Sequence, residues 1–350
     1  MEITAEQETN QVSIFGPHVV ILGSGASRAA CPKGDRNGKP LPLMRDLNEI
    51  LKLKSLFSEW KESLPKNFED TYSILAERGE TTKIEELEKR TYTYFHRLRL
   101  PDSPTIYDYL VLSLRDTDLI ATFNWDPLLV EAYARNRASG LDMPHLAFLH
   151  GNVAVSYCEK DRRMGNELLC PVCHRLYKPT KLLFPIREKD YASDGFIRTQ
   201  WDVFEKALRQ AFMITIFGYG GPKTDTKAIE AMKLAWGGAE NRTLEQTTFI
   251  TRDPKDEDQL IEEWADFVFS HHYSIYGDYY KSWIANHPRR TGEAWQNQNL
   301  EAKFISNNPA PKVNTLPELW QWFDRFKTAE EEVGKKEQRA KNQQSTPSSA

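Results

Sequence analysis

The chain has 350 residues, 40% of them hydrophobic, with 46 Lys and Arg against 50 Asp and Glu and a formal charge of -4. That suffices for one large domain with an insertion or for two modest ones, and it excludes the global basic field that marks a nucleic-acid binder. No apolar run approaches the roughly 18 residues of a membrane span, and the start Met1-Glu2-Ile3-Thr4-Ala5-Glu6 lacks the features of a signal peptide. The sequence therefore predicts a cytoplasmic chain whose four cysteines are thiols or metal ligands rather than disulfides.

Residues 1–12 read as a polar N-terminal arm, and the fold is expected to start near Ser13. The apolar run His18-Val19-Val20-Ile21-Leu22 reads as a buried strand, and Gly23-Ser24-Gly25-Ala26-Ser27 follows it into a helix. A strand, a small-residue turn and a helix N-terminus are the parts of a dinucleotide phosphate cradle, since glycines allow close backbone approach and the helix dipole favours an anion. The same pattern also serves as a tight strand-to-helix turn without any ligand. The Gly-, Pro- and Lys-rich stretch from Lys33 to Pro42 is irregular and fits either a lid over a cofactor or a surface loop. From about 45 to 114 apolar positions recur at helical spacing, among them Ile84, Leu87 and Leu98, predicting a helical insertion whose aromatics form its own core.

Strand signals then return with turns after each. Residues 118–123 lead into Asn124-Trp125-Asp126-Pro127, residues 146–149 into His150-Gly151-Asn152, and residues 182–184 into Pro185. Residues 212–217 end in Gly218-Tyr219-Gly220-Gly221, and 247–251 in Arg252-Asp253-Pro254. This rhythm predicts an α/β fold, a Rossmann-like parallel sheet with helices on both faces, in which the loops at the carboxyl ends of the strands converge on one crevice. Asp126, next to Pro127, suits a helix cap as well as a crevice carboxylate. His150 is placed to project from a strand end, whether for structure or for catalysis. Gly218, Tyr219 and Gly220 would let a cofactor approach the backbone, with Asp225 available for a ribose or a neighbouring amide.

Cys170-Pro171-Val172-Cys173, with Cys158 twelve positions before it, brings three thiolates within plausible reach of one zinc ion in a module over about 157–178. His174 or Asp161 is expected to supply the fourth ligand, while Cys31 belongs to the distant first loop. Further on, His271-His272, Tyr273, Tyr276, Tyr279-Tyr280 and Trp283 read as an aromatic helix face or a subunit contact, with a metal or base-stacking cluster as the alternative. Residues 286–315 read as an irregular connection, Thr315 as the cap of a short amphipathic helix in a C-terminal extension over 286–326, and 327–350 as a charged tail disordered at its end.

Taken in order, Gly23-Ser24-Gly25-Ala26-Ser27, Thr122-Phe123-Asn124-Trp125-Asp126, His150-Gly151, the cysteine knuckle and Gly218-Tyr219-Gly220 resemble the Sir2 family over roughly residues 14–275. The likeness is to the bacterial anti-phage branch that includes the Sir2 partner of HerA-type ATPases. The resemblance implies an NAD-binding catalytic domain over 13–285, a structural zinc ion and cleavage of the nicotinamide–ribose bond of NAD. It assigns Asn124 to the attacking water or the ribose, Asp126 to the nicotinamide end and His150 to the general base. The expected NAD contacts are Gly23, Ser24, Gly25, Ala26 and Ser27, with Asn124, Asp126, Gly218, Tyr219, Gly220 and Asp225.

Three departures separate this chain from the protein-deacylase pattern. Phe123 stands where deacylases carry glutamine, Phe184-Pro185-Ile186-Arg187 stands where they pair with an acylated peptide, and the second cysteine knuckle is incomplete. A proline at a pairing edge removes a backbone donor. These favour hydrolysis of NAD to nicotinamide and ADP-ribose over deacylation or ADP-ribosyl transfer. A non-catalytic nucleotide sensor is the third reading, and the retention of both Asn124 and His150 counts against it. An unregulated NADase would deplete its host, so control by homo-oligomeric assembly or by a partner such as a HerA-type ATPase is expected, with neither a membrane nor direct nucleic-acid contact.

Overall fold

The structure is a computed structural model that describes residues 2–13, 15–57, 65–165, 168–185, 191, 194–221, 225–252 and 257–344. Its first residues are not the expected arm. Glu2–Ile3 (β1) pairs in parallel with Phe304–Ile305, and Thr4 opens Ala5–Asn10 (α1) through a capping box with Gln7. Glu8 is fully buried, its Oε1 2.6 Å from His287 Nδ1. Polar residues can be buried when they are paired, which hydropathy alone does not reveal.

His18–Leu22 (β2) leads into Ser24–Ala30 (α2), as the glycine turn predicts. The following loop is organised by Asp35, whose carboxylate accepts from the backbone N–H groups of Asn37, Lys39 and Arg99. The helical insertion is present as Leu47–Ile50 (α3), a 3₁₀ turn over Leu53–Phe57, Phe68–Glu77 (α4), Thr81–His96 (α5) and Ile106–Leu112 (α6). The chain then forms Leu119–Thr122 (β3), Leu128–Asn136 (α7) and His145–Phe148 (β4). Ser156–Cys158 (β5), Arg163–Gly165 (β6) and Lys178–Pro179 (β7) build a small antiparallel sheet around the cysteines. The strand expected over 182–184 does not form; this stretch joins no sheet and is held at Leu183 N–H, which donates to His150 O.

Gly195–Gln210 (α8), Met213–Phe217 (β8), Thr226–Trp236 (α9), Gln246–Ile250 (β9), Glu257–Glu263 (α10) and Tyr273–Tyr276 (β10) complete the central layer. The six strands run in the order β10-β9-β8-β2-β3-β4, all parallel. Alternation along each strand splits the apolar core between the two faces. Val20, Leu22 and Ile120 face the insertion, while Val19, Ile21, Leu119 and Ala121 face α8 and α9. From β2 the chain winds outward through β3 and β4, then returns to start β8 on the other side of β2. That reversal puts the switch point, where open α/β sheets bind ligands, between the carboxyl ends of β2 and β8.

The C-terminal third departs most from expectation. The aromatic segment after His272 is the edge strand β10, not a helix face. Trp283–Asn286 (α11) precedes the connection over 286–315, which contains Thr291–Trp295 (α12), a π turn over Gln296–Leu300 and Phe304–Ile305 (β11). Thr315 does act as a cap, its Oγ1 accepting from Glu318 N–H at 3.4 Å, but the helix it opens, Leu316–Gln344 (α13), has 29 residues. The expected disordered tail is therefore helical to 344, and the end of the tail lies outside the described residues. A charge cluster anchors the start of this segment: Glu330 accepts from Arg289 Nε and Nη2 at 2.9 and 2.6 Å and from Arg290 Nη1 at 2.7 Å. Both guanidinium groups are fully buried. No helix among the described residues is long and apolar enough to cross a membrane.

Candidate active site

The glycine turn and the end of β8 interlock. Gly25 N–H donates to Gly218 O at 3.0 Å, and a Cβ on Gly23 would come within 2.5 Å of Tyr219 Cα. Gly218 has φ +62°, and a Cβ there would meet Ala26 N at 2.3 Å. These glycines are thus required by the contact between two loops, whatever binds beside them. Gly220, in contrast, has open space where a Cβ would stand.

Above the turn lies a cleft of about 350 Å³, partly open to solvent. Gly23, Ser24, Asn124, His150, Gly218 to Gly220 and Asp225 all line it, so the loops after β2, β3, β4 and β8 converge as expected. Leu43, Met44 and Asn67 from the insertion form part of its wall.

Asn124 is held by groups that define its orientation. Gly23 O can only accept, so the amide nitrogen must face it, at 2.8 Å; Nδ2 also reaches Ser27 Oγ at 3.0 Å and Tyr107 OH at 3.4 Å. Oδ1 is then the atom Asn124 can offer to a ligand, an acceptor suited to a hydroxyl or water proton. Ser27 Oγ in turn donates to Asp126 Oδ2 at 2.6 Å and lies 2.7 Å from Tyr107 OH. Asp126 Oδ1 accepts from Leu128 N–H at 3.1 Å, so Asp126, one residue before the cap position at Pro127, both supports the start of α7 and belongs to this network. Complete burial raises its pKa to about 6, although its hydrogen bonds pull the other way. Asn152 Nδ2 fixes the loop from behind, donating to Asp126 O at 2.7 Å.

His150 sits at the end of β4, 5% exposed. Its Nε2 lies 3.3 Å from Tyr191 OH and 3.9 Å from Asp225 Oδ1, while Tyr219 OH donates to Asp225 Oδ2 at 3.0 Å. Asp225 therefore faces the imidazole and a phenol. Phe123 stacks on Tyr219 with centroids 4.3 Å apart and meets the His150 ring edge-on at 4.8 Å. Phe123 is thus a dry wall beside the imidazole. Burial pushes the Tyr191 and Tyr219 phenols well above their ordinary pKa, keeping both as hydroxyl donors.

Tyr107 and Tyr191 escape the sequence reading. Tyr107 lies in the apolar run Ile106-Tyr107-Asp108-Tyr109-Leu110 of α6, where nothing distinguishes it from a core aromatic. Tyr191 is far from any strand end and carries no local motif.

The cysteine module brings Cys158, Asp161, Cys170 and Cys173 together, with one ligand atom of each within 4.8 Å of the others. Cys158 Sγ and Cys173 Sγ are 3.5 Å apart, and Cys170 Sγ lies 3.1 Å from Asp161 Oδ2. Atoms bound to one tetrahedral zinc at about 2.0–2.3 Å are separated by similar spans, so three thiolates and a carboxylate fit that ion. His174 is not in the cluster: it is exposed, at φ +56°, on the turn that follows Cys173. Cys31 lies apart as a buried thiol, its pKa raised to about 12 by burial and by the nearby Asp126.

No protein-family model matches the chain, and no curated protein matches it. Among solved structures it is similar to a mutant Sir2 homologue in complex with ADP-ribose, at 13% identity over 83% of this chain and 96% of that one, with a TM-score of 0.39. It is also similar to Sir2 in complex with the inhibitor EX-527, 2'-O-acetyl-ADP-ribose and a deacetylated p53 peptide, at 13% identity over 82% and 94% with a TM-score of 0.37. A third is Sir2 bound to acetylated peptide, at 12% identity over 82% and 93% with a TM-score of 0.36. With TM-scores this low, these likenesses carry no weight in deciding which reaction the cleft performs.

Proposed function

We propose that the chain is an NAD glycohydrolase that cleaves the nicotinamide–ribose bond to give nicotinamide and ADP-ribose. The observation that carries the reading is the placement of Asn124 and His150 at the ends of adjacent parallel strands, facing one cleft at the switch point of the sheet. Asn124 Oδ1 orients the attacking water, or a ribose hydroxyl, by accepting its proton in a hydrogen bond. His150 takes the water's other proton, and the Asp225 carboxylate 3.9 Å from Nε2 stabilises the imidazolium that results. Nicotinamide leaves as a neutral molecule, so positive charge develops on the ribosyl carbon, and Asp126, which does not line the cleft but is tied to Asn124 through Ser27, is the buried carboxylate that would balance it.

Gly220, with open space where a Cβ would stand, and Ser24, at the start of α2, line the part of the cleft that would take the pyrophosphate. Zinc held by Cys158, Asp161, Cys170 and Cys173 is structural, since four protein ligands leave no open position. Control of turnover by assembly, including with a HerA-type ATPase in anti-phage defence, belongs to the same proposal and rests on the sequence resemblance alone.

Product analysis tests it: the purified chain is incubated with NAD, with and without an acetyl-lysine peptide. Nicotinamide and ADP-ribose in the absence of peptide, reduced at least about 100-fold in Asn124→Ala and His150→Ala with little change in NAD binding, is the expected result. A product that forms only with peptide would make the chain a deacylase, and binding without turnover in any assembly state would make it a sensor.

A further inference from the structure

Four cations line one groove of a chain whose formal charge is -4. The groove, about 340 Å³ and open to solvent, runs along α5 in the helical insertion. Lys89, Arg90, Thr93 and Arg97 recur at spacings of three and four, so they share one face of that helix. Ile50 and Leu51, at the end of α3, supply apolar surface. Lys39 enters from the loop before α3, which is held there because Tyr94 OH donates to Pro40 O at 2.6 Å. Among the described residues Arg90 alone of the four cations is ion-paired. Its Nε donates to Glu86 Oε1 at 2.8 Å, and Nη1 ties α5 to the turn after α3 through Lys52 O at 3.2 Å and Ser55 Oγ at 3.0 Å. Glu86 is the one carboxylate among the described lining residues, so Lys39, Lys89 and Arg97 stand uncompensated around a braced concavity.

Single lysines on a convex surface are solvated and need no ligand. Like charges around one concavity repel each other, and the low-dielectric walls focus their field on an anion that enters. The volume falls within the roughly 300–1,000 Å³ of small-molecule sites. An ammonium group and the planar fork of a guanidinium together recognise phosphate, while Ile50, Leu51 and the half-buried ring of Tyr94 suit an apolar or aromatic body. We infer that this groove is a second small-molecule site, for an organic phosphate that carries such a body. The site is distinct from the cleft but shares a loop with it. Leu41 and Pro42, directly after Pro40, line a small cavity behind Ser24 and Asn124, and Leu43 and Met44 form part of the cleft wall. A ligand on Lys39 and α5 therefore braces the loop that walls the cleft. The inference is independent of the reaction there, since no groove residue is assigned to the chemistry.

Isothermal titration of the metal-loaded full chain with phenyl phosphate, and separately with inorganic phosphate, tests it. Phenyl phosphate is expected to bind at least about tenfold tighter, because only its ring uses the apolar surface. Lys89→Glu with Arg97→Glu should weaken it more than about tenfold. Both side chains are exposed, so the fold is retained, and an unchanged melting temperature reports that. Lys52→Glu with Lys54→Glu makes the same change of charge at exposed positions that do not line the groove, and should cost less than about threefold. Hydrogen exchange over residues 39–51 should slow when phenyl phosphate binds wild type. The inference is overturned by absent binding, by equal affinity for the two phosphates, or by exchange over 39–51 that does not change. It is overturned equally by a loss as large in the Lys52 and Lys54 variant, the result for a diffuse field. Binding that survives in the Lys89 and Arg97 variant and is competed away by ADP-ribose places the probe in the cleft and overturns it too.

Discussion

Asp126→Asn separates the stabilising and destabilising effects of the central network. The wild-type carboxylate is fully buried, faces two hydrogen-bond donors and is paired with no cation among the described residues. Its pKa rises from 3.8 to about 6 on folding. Between those values the folded state holds a proton that the unfolded state has released, so wild-type stability falls as pH rises through the window. The shift of roughly two units corresponds to about 3 kcal/mol, fully felt above pH 6 and absent below about pH 4.

Asparagine removes the charge and the pH dependence with it. Its oxygen can accept from Ser27 Oγ or from Leu128 N–H but not from both, which costs about 1–2 kcal/mol at every pH. The variant is therefore expected to be less stable than wild type near pH 4 and more stable near pH 7, with a swing of about 3 kcal/mol between them. Urea unfolding of both proteins from pH 4 to 8 measures this, and taking the difference cancels every other titrating group. A difference that stays flat across the range would refute the claim that desolvation dominates at Asp126. The same substitution should abolish turnover, so that stability and activity move in opposite directions at neutral pH.

His18 acts in the opposite sense. Buried between Thr291 Oγ1 and Thr215 Oγ1, its pKa is lowered to about 3 by desolvation, so wild type should lose stability as pH falls below 6.5, and His18→Gln should remove that part of the acid sensitivity in the same urea series. Chelating the metal should release about one zinc per chain and speed hydrogen exchange over residues 156–180, while the amides of β2, β3 and β8 stay protected; unchanged exchange would remove the structural metal from the account. Glu330→Ala leaves two buried guanidinium groups without their shared carboxylate and should cost about 3–5 kcal/mol by chemical denaturation, whereas a disordered tail would make it silent.

What was legible in the sequence is what repeats locally. The buried strands before Gly23, Asn124, His150 and Gly218 are short apolar runs closed by turn residues, and all four were readable with their order along the chain. The illegible parts depend on pairing between distant residues. Residues 182–184 have a strand's composition but find no strand beside them. Glu8 and Arg290 look like surface residues until His287 and Glu330 are brought to them from 279 and 40 positions away. His174 sits next to Cys173 in sequence, yet the left-handed turn at that residue takes it away from the thiolates, and Asp161 occupies the place instead.

The glycine motif, the most conspicuous signal in the sequence, is the least diagnostic part of the site. Gly23, Gly25 and Gly218 would all be needed to let two loops touch even if nothing were ever bound, because the space a side chain would fill belongs to the neighbouring loop. The discriminating feature is instead the way Asn124 is held. The two hydrogens of Nδ2 are surrounded by three acceptors, Gly23 O at 2.8 Å, Ser27 Oγ at 3.0 Å and, more distantly, Tyr107 OH at 3.4 Å. Two of those partners come from separate elements, α2 and α6, and Ser27 also ties the same amide to Asp126. Such support locks the amide so that its oxygen alone is left to face the cleft, which is what positioning a nucleophile requires. Tyr107→Phe is the sharpest probe of that lock: kcat should fall while KM and fold stability change little, because the lost hydroxyl touches Asn124 and Ser27 but not the ligand.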